Sequence, residues 1–128
     1  MREPIRDRGR LEHILETIDR LLTRTEGVTL DDLRKDAIYY YGIVKHIEIV
    51  GEAAYKLTPV FREAHPDTPW KKIIAMRHVL VHDYYQISDR EVLYVIEDDL
   101  RPLREQVFRY LSETDWDAWE QQDFDYAK

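Results

Sequence analysis

Ten consecutive residues, Met76-Arg77-His78-Val79-Leu80-Val81-His82-Asp83-Tyr84-Tyr85, bring together an arginine, two histidines and two tyrosines. If they form a helix, Ile74, Arg77 and Val81 share one row, at spacings of three and four. An arginine on an apolar row needs a partner or a wet cleft, because burying a bare guanidinium is costly. His78 and His82 stand four apart and lie on one face. Tyr84 comes seven residues after Arg77 and returns to its face if the helix continues. Arg77 and His82 are five apart, about 140° around an ideal helix. They converge only if the backbone unwinds near His82, or if a second subunit supplies one of them.

These residue types define a chemistry. An arginine binds phosphate through a planar fork and stabilises the extra charge of a transition state. A histidine, with a reference pKa of ~6.5, both takes and gives a proton at neutral pH. Together they suffice for RNA cleavage without a metal: imidazole activates the ribose 2′-hydroxyl or protonates the leaving oxygen, and the guanidinium holds the phosphorane. Paired histidines also suggest zinc, but no Glu follows His78 as the H-E-x-x-H pattern requires, so no metal site is expected. The same spacing is met by an arginine paired with a helix carboxylate and histidines that cap a helix end, and spacing alone favours that arrangement. His13, His46 and His65 lack comparable company and read as surface or half-buried positions.

The elements that must position these groups are helices. Gly (4) and Pro (5) are scarce, which leaves few turns for a sheet protein. Leu11, Ile14, Leu15, Ile18, Leu21 and Leu22 form one stripe on a helix of about four turns, broken near Gly27. Thr29 caps a long second helix, with Asp31 and Asp32 in its first turn. Its stripe runs Leu33, Ala37, Tyr40 or Tyr41, Val44, Ile47, Gly51, Ala54, with Ile43, Val50 and Leu57 alongside. Gly51 costs about 1 kcal/mol in a helix interior, which points to a close approach by a neighbouring backbone. Thr58-Pro59 opens a short helix through Ala64, and Thr68-Pro69 repeats the device for a helix from Trp70 to about Val81. Ser88 and Glu91 form a capping box for the last helix, with stripe Leu93, Ile96, Leu100, Leu103, Val107, Tyr110 and a kink expected at Pro102. Short connections make an all-α, up-and-down antiparallel bundle the simplest architecture. The domain is expected over residues 1–113. Residues 114–128 form an acidic tail interleaved with Trp116, Trp119, Phe124 and Tyr126, read as a loosely packed end in preference to a docking strip.

Composition narrows the function. The 128 residues hold no Cys, which excludes disulfides and thiolate chemistry. The net charge of -7 argues against a general nucleic-acid coat protein, though not against an enzyme that touches a few phosphates. No apolar run approaches the ~20 residues of a membrane span, and MREPIRDRGR lacks the apolar stretch of a secretory signal, so a cytoplasmic chain is expected.

Three segments occur in a telling order: Ile49-Val50-Gly51-Glu52-Ala53, Pro66-Asp67-Thr68-Pro69-Trp70, and Arg77-x4-His82-x-Tyr84. In these the chain resembles a HEPN domain of the HepT-type toxin group, whose signature is R-x4-H-x-Y. The resemblance covers about Arg34 to Ile87; the first and last helices agree in pattern only. The group usually has Asn after the motif arginine. Here the residue is His78, which leaves open whether His78 or His82 transfers more of the proton.

The resemblance implies a helical bundle that forms a homodimer, with the motif helices of two subunits sharing a cleft. It implies a metal-independent endoribonuclease without a cofactor, acting on RNA as the toxin of a toxin–antitoxin pair. It also implies a partner, a minimal nucleotidyltransferase antitoxin that adds adenylate to the motif tyrosine, here Tyr84. The added bulk and negative charge beside Arg77 would exclude RNA. In this scheme Arg77 binds phosphate, His82 is the general acid/base and His78 assists. Apart from the resemblance, order of packing makes Glu48 and Glu52, one turn apart on the second helix, the nearest carboxylates to Arg77, and one of them is expected to orient it. A different class of function, a non-catalytic helical module that binds a nucleotide or supports a nucleotidyltransferase, would be favoured by a substituted motif; the motif here is intact. A purely structural dimerisation bundle is a third option.

Overall fold

Leu11, Ile14, Ile18 and Leu21 are all buried in a computed structural model, which describes residues 6–83 and 87–121. They lie on α1 (Asp7–Arg24), as the stripe predicts. The helix ends at Arg24, and Gly27, in the turn that follows, adopts φ +70°, the left-handed conformation that an L side chain resists. Thr29 then caps α2 (Leu30–Lys35): its hydroxyl accepts from Asp32 N–H at 3.2 Å, and the Asp32 carboxylate accepts from Thr29 N–H at 2.9 Å. The Thr29 backbone and side-chain hydrogen bonds hold the Asp32 carboxyl below its ordinary pKa.

The single long helix expected after Thr29 is two helices. Asp36 is extended (φ -137°), and its carboxylate accepts from Tyr39 N–H at 3.1 Å to start α3 (Ala37–Lys56). A short polar side chain that bonds nearby backbone competes with the helix ladder, so Asp36 ends one helix and caps the next.

α3 runs antiparallel to α1. At one end the Tyr39 hydroxyl donates to Arg24 O at 2.7 Å. At the other, the buried Asp7 carboxylate accepts from Thr58 N–H at 2.8 Å and Thr58 Oγ at 2.7 Å. Thr58 also caps α4 (Pro59–Ala64), with proline in the first turn. α5 (Trp70–His82) follows, but Thr68 does not cap it. Its hydroxyl is bonded to Tyr110 Oη at 2.5 Å and donates to Gln106 at 3.0 Å, tying the start of α5 to a later helix.

Ser88 opens α6 (Asp89–Tyr94), accepting from Arg90 N–H at 3.1 Å rather than closing the expected box through Glu91. A π turn, Val95–Asp99, connects α6 to α7 (Leu100–Glu113), and Leu100 N–H bonds Val95 O. The irregularity expected at Pro102 thus takes the form of a π turn just before it. A proline ring crowds the carbonyl four residues back, here Asp98, and a widened turn relieves that contact. The extra residue also shifts the phase: Val92 is buried at 3%, whereas Leu93, expected on the stripe, is only partly buried.

The four long helices pack as an up-and-down bundle, α3 between α1 and α5 and α7 closing on α1. Arg104 of α7 is paired with Asp19 of α1, which raises the arginine's pKa further. Lys72 reaches Asp99 at 3.5 Å across the α5–α7 seam. Beyond α7 the chain does not loosen at once. α8 (Trp116–Glu120) buries Trp116 against Phe61, and Trp119 Nε1 donates to Asp7 at 3.1 Å. Residues 122–128, and with them the rest of the expected tail, lie outside the described residues. Among the described residues, no helix is long and apolar enough to cross a membrane.

Candidate active site

α3 and α5 come closest where Gly51 faces Arg77. A Cβ at position 51 would overlap Arg77 Cβ and stand 3.2 Å from its Cα. The absent side chain is what lets the two helices meet there, as the cost of a helical glycine suggests. The contact fixes the root of the arginine, and two α3 side chains attend its head. Glu52 Oε2 stands 2.6 Å from Nε as a charge pair, with the Nε–H not aligned for a hydrogen bond. The Tyr55 ring centroid lies 5.5 Å from the guanidinium carbon. Residues 52 and 55, three apart, share that face of α3. The apolar row in the sequence thus carries an arginine that is half-buried and paired.

Of the two carboxylates expected beside Arg77, Glu52 is the one in contact. Glu48 pairs with Lys45 at 2.5 Å instead. A lysine three residues earlier on the same helix captures it locally.

His78 and His82 are both exposed, with ring centroids 4.5 Å apart. α5 remains helical through His82, and Asp83 N–H bonds Val79 O at 2.8 Å. The backbone therefore does not unwind before His82, and Arg77 and His82 keep their separation around the helix. Tyr84 lies outside the described residues. No group of histidines and carboxylates suited to a metal ion occurs among the described residues. An apolar cleft of about 150 Å³ between α3, α5 and α7 is lined by Met76 but not by Arg77 or either motif histidine.

The family model described as "Ribonuclease HepT-like" matches residues 14–109. The chain belongs to this family. The matched span holds Glu52, Arg77, His78 and His82, and runs from within α1 to within α7. Among similar sequences is "Putative RNase TTE0752" of Caldanaerobacter subterraneus subsp. tengcongensis, 37% identical over 76% of this chain and 87% of that protein. "Gamma-glutamylcyclotransferase and putative RNase MJ0434" of Methanocaldococcus jannaschii is 31% identical over 82% of this chain, which covers 47% of that longer protein. "Probable ribonuclease HepT" of Thermococcus cleftensis is 28% identical over 73% of this chain and 86% of that protein. No solved structure matches the chain.

Tyr55 was not singled out by the sequence pattern. The signal was present: it stands three residues after Glu52, on the same turn of α3 that faces Arg77.

Proposed function

We propose that this HepT-like protein is the toxin of a toxin–antitoxin pair, a metal-independent endoribonuclease that works as a homodimer in the cytoplasm. The observation that carries the reading is the division of the motif over α5. Arg77 is seated at the Gly51 crossing against Glu52, while His78 and His82 stand exposed on a helix that stays regular. One subunit thus offers a phosphate fork and a pair of imidazoles on different faces. An isologous pairing sets the arginine of each copy near the histidines of the other, and completes two sites at once.

In such a cleft Arg77 holds the scissile phosphate, with Glu52 orienting its fork. One imidazole takes the proton of the 2′-hydroxyl as the 2′-oxygen bonds to phosphorus. The P–O5′ bond breaks, and the 5′-oxygen receives a proton from a second imidazole. His82 is the principal acid/base and His78 assists. Control lies at Tyr84: a minimal nucleotidyltransferase antitoxin transfers the adenylyl group of ATP to its hydroxyl and releases pyrophosphate. The new anion then occupies the phosphate site beside Arg77.

The test joins three measurements on the purified full chain. The protein should sediment as a dimer at micromolar concentration, cleave RNA equally with and without EDTA, and gain adenylate mass with the partner and ATP, a gain lost in Tyr84→Phe. Inhibition by EDTA would overturn the metal-free chemistry. Mass gain persisting in Tyr84→Phe would move the modification elsewhere, with Tyr85 the first to test. Nucleotide binding without any RNA cleavage would put a non-catalytic module in place of the ribonuclease.

A further inference from the structure

Tyr55 is 51% exposed, although its ring lies 5.5 Å from the guanidinium carbon of Arg77. A large aromatic side chain open to solvent beside a phosphate-binding arginine has a use beyond packing. We propose that Tyr55 is a nucleobase-stacking platform, receiving the base next to the phosphate that Arg77 holds and so selecting single-stranded RNA. The inference rests on the ribonuclease reading above.

Three features carry it. First, reach: the base of a nucleotide lies one sugar away from its phosphate, so a phosphate on Arg77 places a base at the neighbouring ring. Second, rigidity: Tyr55 and Glu52 share one turn of α3, held against α5 at the Gly51 contact. The platform and the phosphate fork are therefore positioned by the same two helices. Third, charge: a chain of net charge -7 gains little from general attraction to the RNA backbone. Stacking on an aromatic face does not need that attraction, and an adjoining arginine strengthens it. A base held in a duplex cannot offer its face in this way, which is why the site selects single strands.

The experiment uses the full chain and a labelled single-stranded oligoribonucleotide with 2′-O-methyl groups throughout, which cannot be cleaved by 2′-hydroxyl attack. Tyr55→Ala should weaken binding about 5- to 150-fold, the range for one stacked base. With a cleavable strand the loss should fall mainly on KM and less on kcat. Tyr55→Phe keeps the ring and should rescue binding. Phe108→Ala removes an aromatic of similar exposure (54%) on α7 and should change nothing. Parent-like binding and KM in Tyr55→Ala, with the parent cleaving RNA, would overturn the stacking inference and leave the ribonuclease reading standing. A parent that neither binds nor cleaves RNA would overturn both. Dissociation of Tyr55→Ala from dimer to monomer would also overturn it, assigning the ring to the contact between copies.

Discussion

Two regions of the molecule gather rings and imidazoles and treat them in opposite ways. At the end where α1, α4 and α8 meet, Phe61 is fully buried and lies parallel to Trp116, 6.2 Å away. His65 packs between Phe61 at 4.4 Å and Tyr110 at 4.1 Å. The indole N–H groups there donate to His65 O, Leu111 O and the Asp7 carboxylate. Along α5 and the facing turn of α3, by contrast, His78, His82 and Tyr55 are exposed, and Arg77 is anchored at the crossing. The same side-chain types serve stability where their faces are packed and the indole N–H groups are satisfied. They stay open to solvent where a helix holds the root and the head is left uncovered.

The comparison is sharpened most by one substitution in each region. Phe61→Ala should cost ~3–5 kcal/mol, the scale for truncating a buried aromatic, and lower the denaturant midpoint accordingly. His82→Ala should reduce RNA cleavage roughly 10²–10⁴-fold while leaving that midpoint nearly unchanged, because an exposed ring contributes little to packing. A folded, fully active His82→Ala would remove His82 from the chemistry. A Phe61→Ala protein of parental stability would show that the aromatic end is not the structural anchor.

What the sequence made legible follows the same division. The stripes on α1 and α7, Thr29 as a cap and Pro59 were readable, because each depends on residues within a few turns of one another; Gly51 signalled a close approach by its cost inside a helix, though not that Arg77 is what approaches. Thr68 was not, because its hydroxyl partner Tyr110 stands 42 residues away. Nor was the burial of Trp116, which needs Phe61 from another helix. The π turn displaced Leu93 in favour of Val92 by inserting a residue that periodicity does not encode. In the site, the need of Arg77 for a carboxylate was legible from its apolar row. The choice of Glu52 over Glu48 was not, since it depends on the rotation of α3 and on Lys45 competing locally.

Gly51→Ala probes the boundary between the two modes. The added methyl meets Arg77 Cβ, so the helices must separate, at a cost of about 1–3 kcal/mol. The same movement shifts the root of Arg77, so cleavage should fall by more than the lost stability explains. Assayed well below its melting temperature, the variant should be folded by circular dichroism yet impaired in kcat. Full activity with reduced stability would show that the crossing is structural and does not aim the fork.

The smallest effect expected is a pH dependence from the packed imidazole. Burial lowers the His65 pKa below its ordinary 6.5, and Arg109 lowers it further, while Asp67 opposes them. The folded state therefore resists protonation at His65 more than the unfolded chain does. Above about 6.5 both states are neutral there and the group contributes no pH slope. As pH falls below 6.5 the unfolded chain binds the proton first, so stability is lost across the window down to the lowered folded value. His65→Phe keeps a ring between Phe61 and Tyr110 but cannot titrate. Melting temperatures of the parent and His65→Phe should therefore run parallel above pH 7 and diverge on acidification, with the parent falling faster. Parallel curves down to pH 5 would mean that the packed ring takes its proton as readily in the folded state as in the unfolded one, and the contrast between the two regions would then rest on packing alone.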